Sequence, residues 1–127
     1  MTPTAVHVID DDEAVRDSLA VLLETRGFEV ATYGSVEAFL DDAPSVTGGC
    51  VVTDVQMPAM NGLQLLRAFR RLNACVPVLV VTARSGRALA AEAMAEGARA
   101  VIEKPFSPDA FVAAVETAIR DASPRSS

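Results

Sequence analysis

The chain has 127 residues, a formal net charge of -6, an apolar half and 22% charged residues. That length suits one domain with one core, and the composition excludes a disordered chain. The acidic balance argues against a nucleic-acid backbone surface, which needs clustered Lys and Arg. After Met1 there is neither a basic-then-apolar leader nor a span near twenty apolar residues, so a cytoplasmic protein without membrane association is expected.

An apolar strand is read over Ala5–Ile9, and it runs into Asp10-Asp11-Asp12-Glu13. Val15, Leu19, Leu22 and Leu23 then recur at the spacing of one helix face, and Gly27 stands where a C′ glycine ends such a helix. Further strands are read over Glu29–Tyr33, 50–53, Val78–Thr82 and Ala100–Glu103. The third and fourth are almost continuously apolar, as strands covered on both faces of a parallel sheet are. Residues 87–96 are mostly Ala, which favours helix and fills little volume. That helix is either a face for close approach by a partner or second copy, or a plain exposed helix. Gly97 follows as its C′ residue. Ser107-Pro108-Asp109 supplies an N-cap, a proline at N1 and an acid in the first turn. Phe111, Val115, Ala118 and Ile119 form the core face of the last helix. The alternation predicts an α/β fold, a doubly wound, flavodoxin-like parallel sheet of five strands in the order 2-1-3-4-5. The domain spans 1–121, and the small, polar stretch 122–127 is a frayed end or the start of a linker.

Ligands of such sheets bind beyond the carboxyl ends of the strands. There the first strand presents Asp10 and Asp11, the third Asp54, the fourth Thr82 and the fifth Lys104. With the first and third strands adjacent, three carboxylates converge and repel by about 4 kcal/mol per pair at about 4 Å and an effective dielectric of about 20. A cation is required. Hard oxygens without His or Cys suit Mg²⁺, which takes one or two carboxylates plus a phosphate oxygen. A lysine ammonium and a threonine hydroxyl are devices for stabilising a transferring phosphoryl group, which leaves Asp54 as the nucleophile.

Ile9-Asp10-Asp11-Asp12-Glu13, Thr53-Asp54-Val55-Gln56-Met57-Pro58-Ala59-Met60-Asn61-Gly62, Val81-Thr82-Ala83 and Glu103-Lys104-Pro105-Phe106, in this order, resemble the receiver domain of two-component response regulators from about Val6 to Ile119. The Lys-Pro-Phe segment is similar to that of the nitrogen-fixation regulator subfamily. The resemblance implies a phosphoacceptor signalling domain rather than an enzyme, taking a phosphoryl group from a histidine kinase or histidine phosphotransfer protein onto Asp54. It would assist its own transfer and slow dephosphorylation. By the same resemblance Asp11, Asp54 and the backbone carbonyl of Gln56 hold Mg²⁺, Asp10 reaches it through water, and Thr82 and Lys104 contact the phosphoryl oxygens. A cis Lys104-Pro105 bond is implied as well. A phosphorylation-dependent homodimer or an output domain is the implied partner, and the subfamily usually carries a DNA-binding domain after the receiver, which is not expected within these 127 residues. In one respect the chain departs from the family: Val101 stands in the fifth strand where a Tyr or Phe is usual. The switch is therefore expected to act through the loop 82–86 and the helix after it.

Plainer readings apply to several other residues. Asp12 and Glu13 favour a helix dipole, His7 is a buried or edge structural histidine, and Met57, Met60 and Phe106 are packing residues near the cleft or, by their loop placement, contacts for a partner. Cys50 and Cys75 have no metal-like spacing and read as reduced thiols without a chemical role. Asp10 and Asp12 also mimic the first motif of haloacid dehalogenase-type phosphatases, but Ala14 stands where that motif favours Thr or Val, and no acidic pair follows Lys104. A docking module that keeps the fold without phosphorylation would not need all of the site residues present here.

Overall fold

The computed structural model describes residues 5–42, 49–55, 62–71 and 76–122. In chain order these form β1 (Ala5–Ile9), α1 (Glu13–Thr25), β2 (Glu29–Tyr33), α2 (Val36–Asp42), β3 (Cys50–Asp54), α3 (Gly62–Arg71), β4 (Val78–Thr82), a 3-10 turn (Arg84–Gly86), α4 (Arg87–Ala95), β5 (Ala100–Glu103) and α5 (Pro108–Ala122). The strands make one parallel sheet in the order β2-β1-β3-β4-β5, as predicted.

Side chains alternate across this sheet with a period of two, and each face builds its own core. Val6 and Val8 of β1, Val52 of β3 and Leu79 and Val81 of β4 pack with Leu19 and Leu23 of α1 and Phe111, Val115 and Ala118 of α5. On the other face Ile9, Val51 and Val80 meet Phe39 of α2, Leu65 of α3 and Ala93 of α4. Phe39 and Phe111 are fully buried, and each such side chain is worth about 1.5–3 kcal/mol of apolar burial. Of the helix faces read from the sequence, Leu19, Leu23, Phe111, Val115 and Ala118 are buried, while Val15, Leu22 and Ile119 are partly buried at the margin.

The punctuation also holds. Gly27 and Gly97 take positive φ, 92° and 113°, after α1 and α4, and the Ser107 hydroxyl accepts from Ala110 N at 3.0 Å at the start of α5. Some boundaries differ, and α4 ends at Ala95 with Glu96 as its C-cap, one residue short of the expected 96. β3 runs one residue further than expected, because Asp54 stays in register with Val81 and Val55 N donates to Val81 O at 3.0 Å. The expected tail lies outside the described residues except for Ala122, which belongs to α5.

The register sets the site. Ile9 is paired with Thr53, Asp54 with Val81, and Thr82 with Glu103, so β1, β3, β4 and β5 end along one edge. Among the described residues, no helix is long and apolar enough to cross a membrane.

Candidate functional site

Asp10 is the first residue beyond β1 and only 4% exposed. Its amide donates to Tyr33 O at 3.1 Å, and its Oδ1 accepts from Asp12 N at 2.9 Å. Asp12 in turn caps α1, accepting from Ala14 N at 2.9 Å and Val15 N at 3.2 Å, which is the helix-start role read for it. Asp11, between them, is exposed. Burial raises the Asp10 carboxyl above its ordinary range; the Asp12 amide opposes this, the charges of Asp54 and Asp11 add to it, and Lys104 lowers it. The charges expected to meet are therefore within electrostatic reach of one another.

Asp54 ends β3, and its Oδ2 lies 3.4 Å from Lys104 Nζ, with the two side chains 17% and 35% exposed. Lys104 is placed by its own backbone: Lys104 N donates to Thr82 O at 2.8 Å, and the Lys104-Pro105 bond is cis, as expected. Phe106 then stacks on Phe111 at 5.3 Å, the packing role read for it. Thr82 is buried, and its hydroxyl donates to Ala83 O at 2.8 Å. A group on Asp54 would have to draw that hydroxyl away from its neighbour's carbonyl. Gln56, Met57, Met60 and Cys75 lie outside the described residues.

The carboxylates converge less tightly than expected. Among the described residues, no three His, Cys, Asp or Glu side chains gather as a metal-binding group, because Asp10 is turned onto the Asp12 amide and Asp54 onto Lys104. This spacing suits a Mg²⁺ that keeps several waters and uses one or two carboxylates. The donor set fits: the groups brought together are hard carboxylate oxygens, and the buried Asp10 carboxyl is one whose charge a cation would stabilise.

Other residues settle more quietly. Cys50 is a buried free thiol, pushed up to about 12 by burial, and inert at neutral pH. His7 lies on β1, an interior strand rather than an edge, where it shares a 3.4 Å hydrogen bond with the Tyr33 hydroxyl and an edge contact with Phe39. Two features were missed by sequence reasoning. Arg16 donates from Nη1 to Asp10 O at 2.8 Å, a role signalled only by its position one turn inside the helix that follows the acidic run. Arg87 grips Glu103 with two bonds, at 2.7 and 2.9 Å, a pairing across distant sequence that no local pattern marks.

With this fold and this edge, the chain belongs to the response regulator receiver domain family, whose model matches residues 6–116. It is thus a signalling domain of two-component systems, not a classical enzyme. Among curated proteins it is 44% identical over 119 residues to the transcriptional regulatory protein FixJ of Bradyrhizobium diazoefficiens, covering 94% of this chain and 58% of that protein. It is 45% identical to the protein of the same name in Rhizobium meliloti, covering 93% and 58%. Among solved structures, full-length FixJ from B. japonicum superposes with a TM-score of 0.93 at 44% identity, covering 98% of this chain and 61% of that one. FixJ-N superposes with a TM-score of 0.89 at 43% identity, covering 94% and 96%. The chain spans a little over half the length of the curated relatives it matches.

Proposed function

We propose that this chain is a phosphoacceptor that takes a phosphoryl group from a histidine kinase or histidine phosphotransfer protein onto Asp54 within a domain spanning 1–121, in the cytoplasm. The observation that carries the reading is the Asp54–Lys104 pair at 3.4 Å at the end of β3, beside the buried Asp10. An Asp54 oxygen attacks phosphorus, the bond from phosphorus to the donor imidazole breaks, and the imidazole leaves with the electron pair. Asp10, Asp11, Asp54 and the backbone carbonyl of Gln56 are the groups to hold Mg²⁺, which when bound supplies charge that offsets the phosphoryl oxygens. Lys104 passes from the Asp54 carboxylate to a phosphoryl oxygen, and Thr82 exchanges Ala83 O for another.

The new group adds about -1.5 to -2 charge. Two charge-assisted hydrogen bonds, at about 1.5–3 kcal/mol each, come close to the roughly 5.5 kcal/mol that inverts a 1:99 equilibrium. Thr82 leads directly into the turn Arg84–Gly86, closed by Gly86 N to Ala83 O at 2.9 Å, and then into α4. Val101 is partly buried against the α2–α4 core and stiff at χ1. The loop and α4 therefore carry the response. The output is control of a partner, either an output domain elsewhere in a longer protein or a second phosphorylated copy; the relatives' name, transcriptional regulatory protein, supports an output in transcription.

Incubation with acetyl phosphate and Mg²⁺, read by intact mass spectrometry, is expected to add one phosphoryl group to the wild type and none to Asp54→Ala. Undiminished labelling of Asp54→Ala overturns the reading, and labelling lost only in Asp10→Ala favours phosphatase-like chemistry. With a beryllofluoride mimic, hydrogen exchange is expected to change most at 83–87; changes centred on Ala100–Glu103 with the loop unmoved would sink the proposed route.

A further inference from the structure

Arg16 sits one turn inside α1, on its flank toward the site edge. Its side chain is 18% exposed, which is low for a guanidinium on a helix of this outer layer. Nη1 donates to the Asp10 carbonyl at 2.8 Å, while Nη2 lies 4.0 Å from the exposed Glu13 carboxylate. The same Nη1 is 3.4 Å from the position a Cβ would take on Gly34, in the segment between β2 and α2. The guanidinium thus lies between the β1–α1 turn and the β2–α2 segment, where Asp10 N already donates to Tyr33 O.

The Asp10 carbonyl belongs to the planar peptide that joins Asp10 to Asp11. Fixing its oxygen fixes the plane from which both carboxylates project. A rigid, planar fork holds a carbonyl direction better than a flexible ammonium does. We infer that Arg16 is a positioning residue for the cation site, presetting the Asp10-Asp11 peptide so that both carboxylates face the ion; this rests on the phosphoacceptor reading above.

The sign of the effect separates this role from its rivals. A positive charge near carboxylates repels a cation, so if charge alone mattered, removing Arg16 would tighten Mg²⁺ binding. A merely stabilising Arg16 would lower the melting temperature and leave the affinity alone. A positioning residue, when lost, weakens binding, and partners one step out from a metal typically cost about ten-fold or more.

The experiment is a Mg²⁺ titration of the whole chain followed by amide chemical shifts, with hydrogen exchange at the Asp12 amide measured in EDTA. Arg16→Gln and Arg16→Lys are both expected to bind Mg²⁺ about ten-fold more weakly and to exchange Asp12 N–H faster without metal. Gly34→Val, which adds two methyls beyond a Cβ that would already touch Nη1 at 3.4 Å and changes no charge, is expected to move both readouts the same way and keeps the test available if Arg16→Gln fails to fold. Unchanged or tighter binding in the folded variants overturns the inference. A wild type that binds no Mg²⁺ at this edge overturns the phosphoacceptor reading and the inference with it.

Discussion

The helices α1 and α4 flank the same edge of the sheet and are held by different means. α1 has 13 residues, a side-chain cap from Asp12, buried Leu19 and Leu23, and the Arg16 bond to Asp10 O. α4 has 9 residues, begins at Gly86 without a side-chain cap, and buries only Ala90 and Ala93. Its first residue is held by the exposed Arg87–Glu103 pair, and exposed pairs of this kind contribute little. Each buried methylene contributes about 0.8 kcal/mol, so the buried Leu19 and Leu23 anchor α1 more firmly than Ala90, Ala93 and the partly buried Leu89 anchor α4. The half of the edge that presents Asp10 and Asp11 is thus held by more buried side chain than the half that follows Thr82, which is why the proposed response is placed in the latter.

Leu23→Ala tests that contrast most severely. It opens a cavity at a fully buried position and is expected to cost about 3 kcal/mol in urea unfolding. Ala93→Gly, the comparable loss in α4, is expected to cost about 1–2 kcal/mol from helix propensity and one methyl. Equal costs for the two would erase the asymmetry. Asp12→Ala, which leaves two amides of the first turn of α1 without their acceptor, should cost about 1 kcal/mol.

Asp10→Asn sharpens the picture by changing sign. Because the folded Asp10 is raised above its ordinary 3.8, the native state keeps a proton that the unfolded chain has released. Its contribution to stability therefore falls as pH rises through that window, and the deficit persists at neutral pH. In EDTA, Asp10→Asn is expected to raise the melting temperature at neutral pH and to flatten the pH profile above 3.8; with Mg²⁺ the wild type recovers and the variant does not. Thermal melts with and without metal check both signs. Smallest of all, Arg87→Ala should leave the unfolding midpoint in place while hydrogen exchange quickens in the first turn of α4. An unmoved exchange rate there would show that the pair does not hold the helix.

The strands and helices were legible because their signals are local. Val6 and Val8 alternate with His7 and Ile9 across a pleat, Leu19 and Leu23 stand one turn apart, and Ser107-Pro108 starts a helix through its own side chain and ring. The candidate site was legible for a topological reason: a parallel sheet delivers the carboxyl ends of its strands to one edge, so Asp10, Asp54, Thr82 and Lys104 had only one place to meet. What the sequence left open depends on groups brought together from far apart. Gly49 has φ +84°, and a Cβ there would lie 1.8 Å from Ala5 O, a clash defined only once β3 lies beside β1. Arg87 and Glu103 face each other only after α4 has turned back beside β5. Whether three carboxylates close around an ion or stay on the Asp12 amide and Lys104 is decided by competing partners at distances of about 3 Å, and hydrophobic periodicity carries no record of those distances.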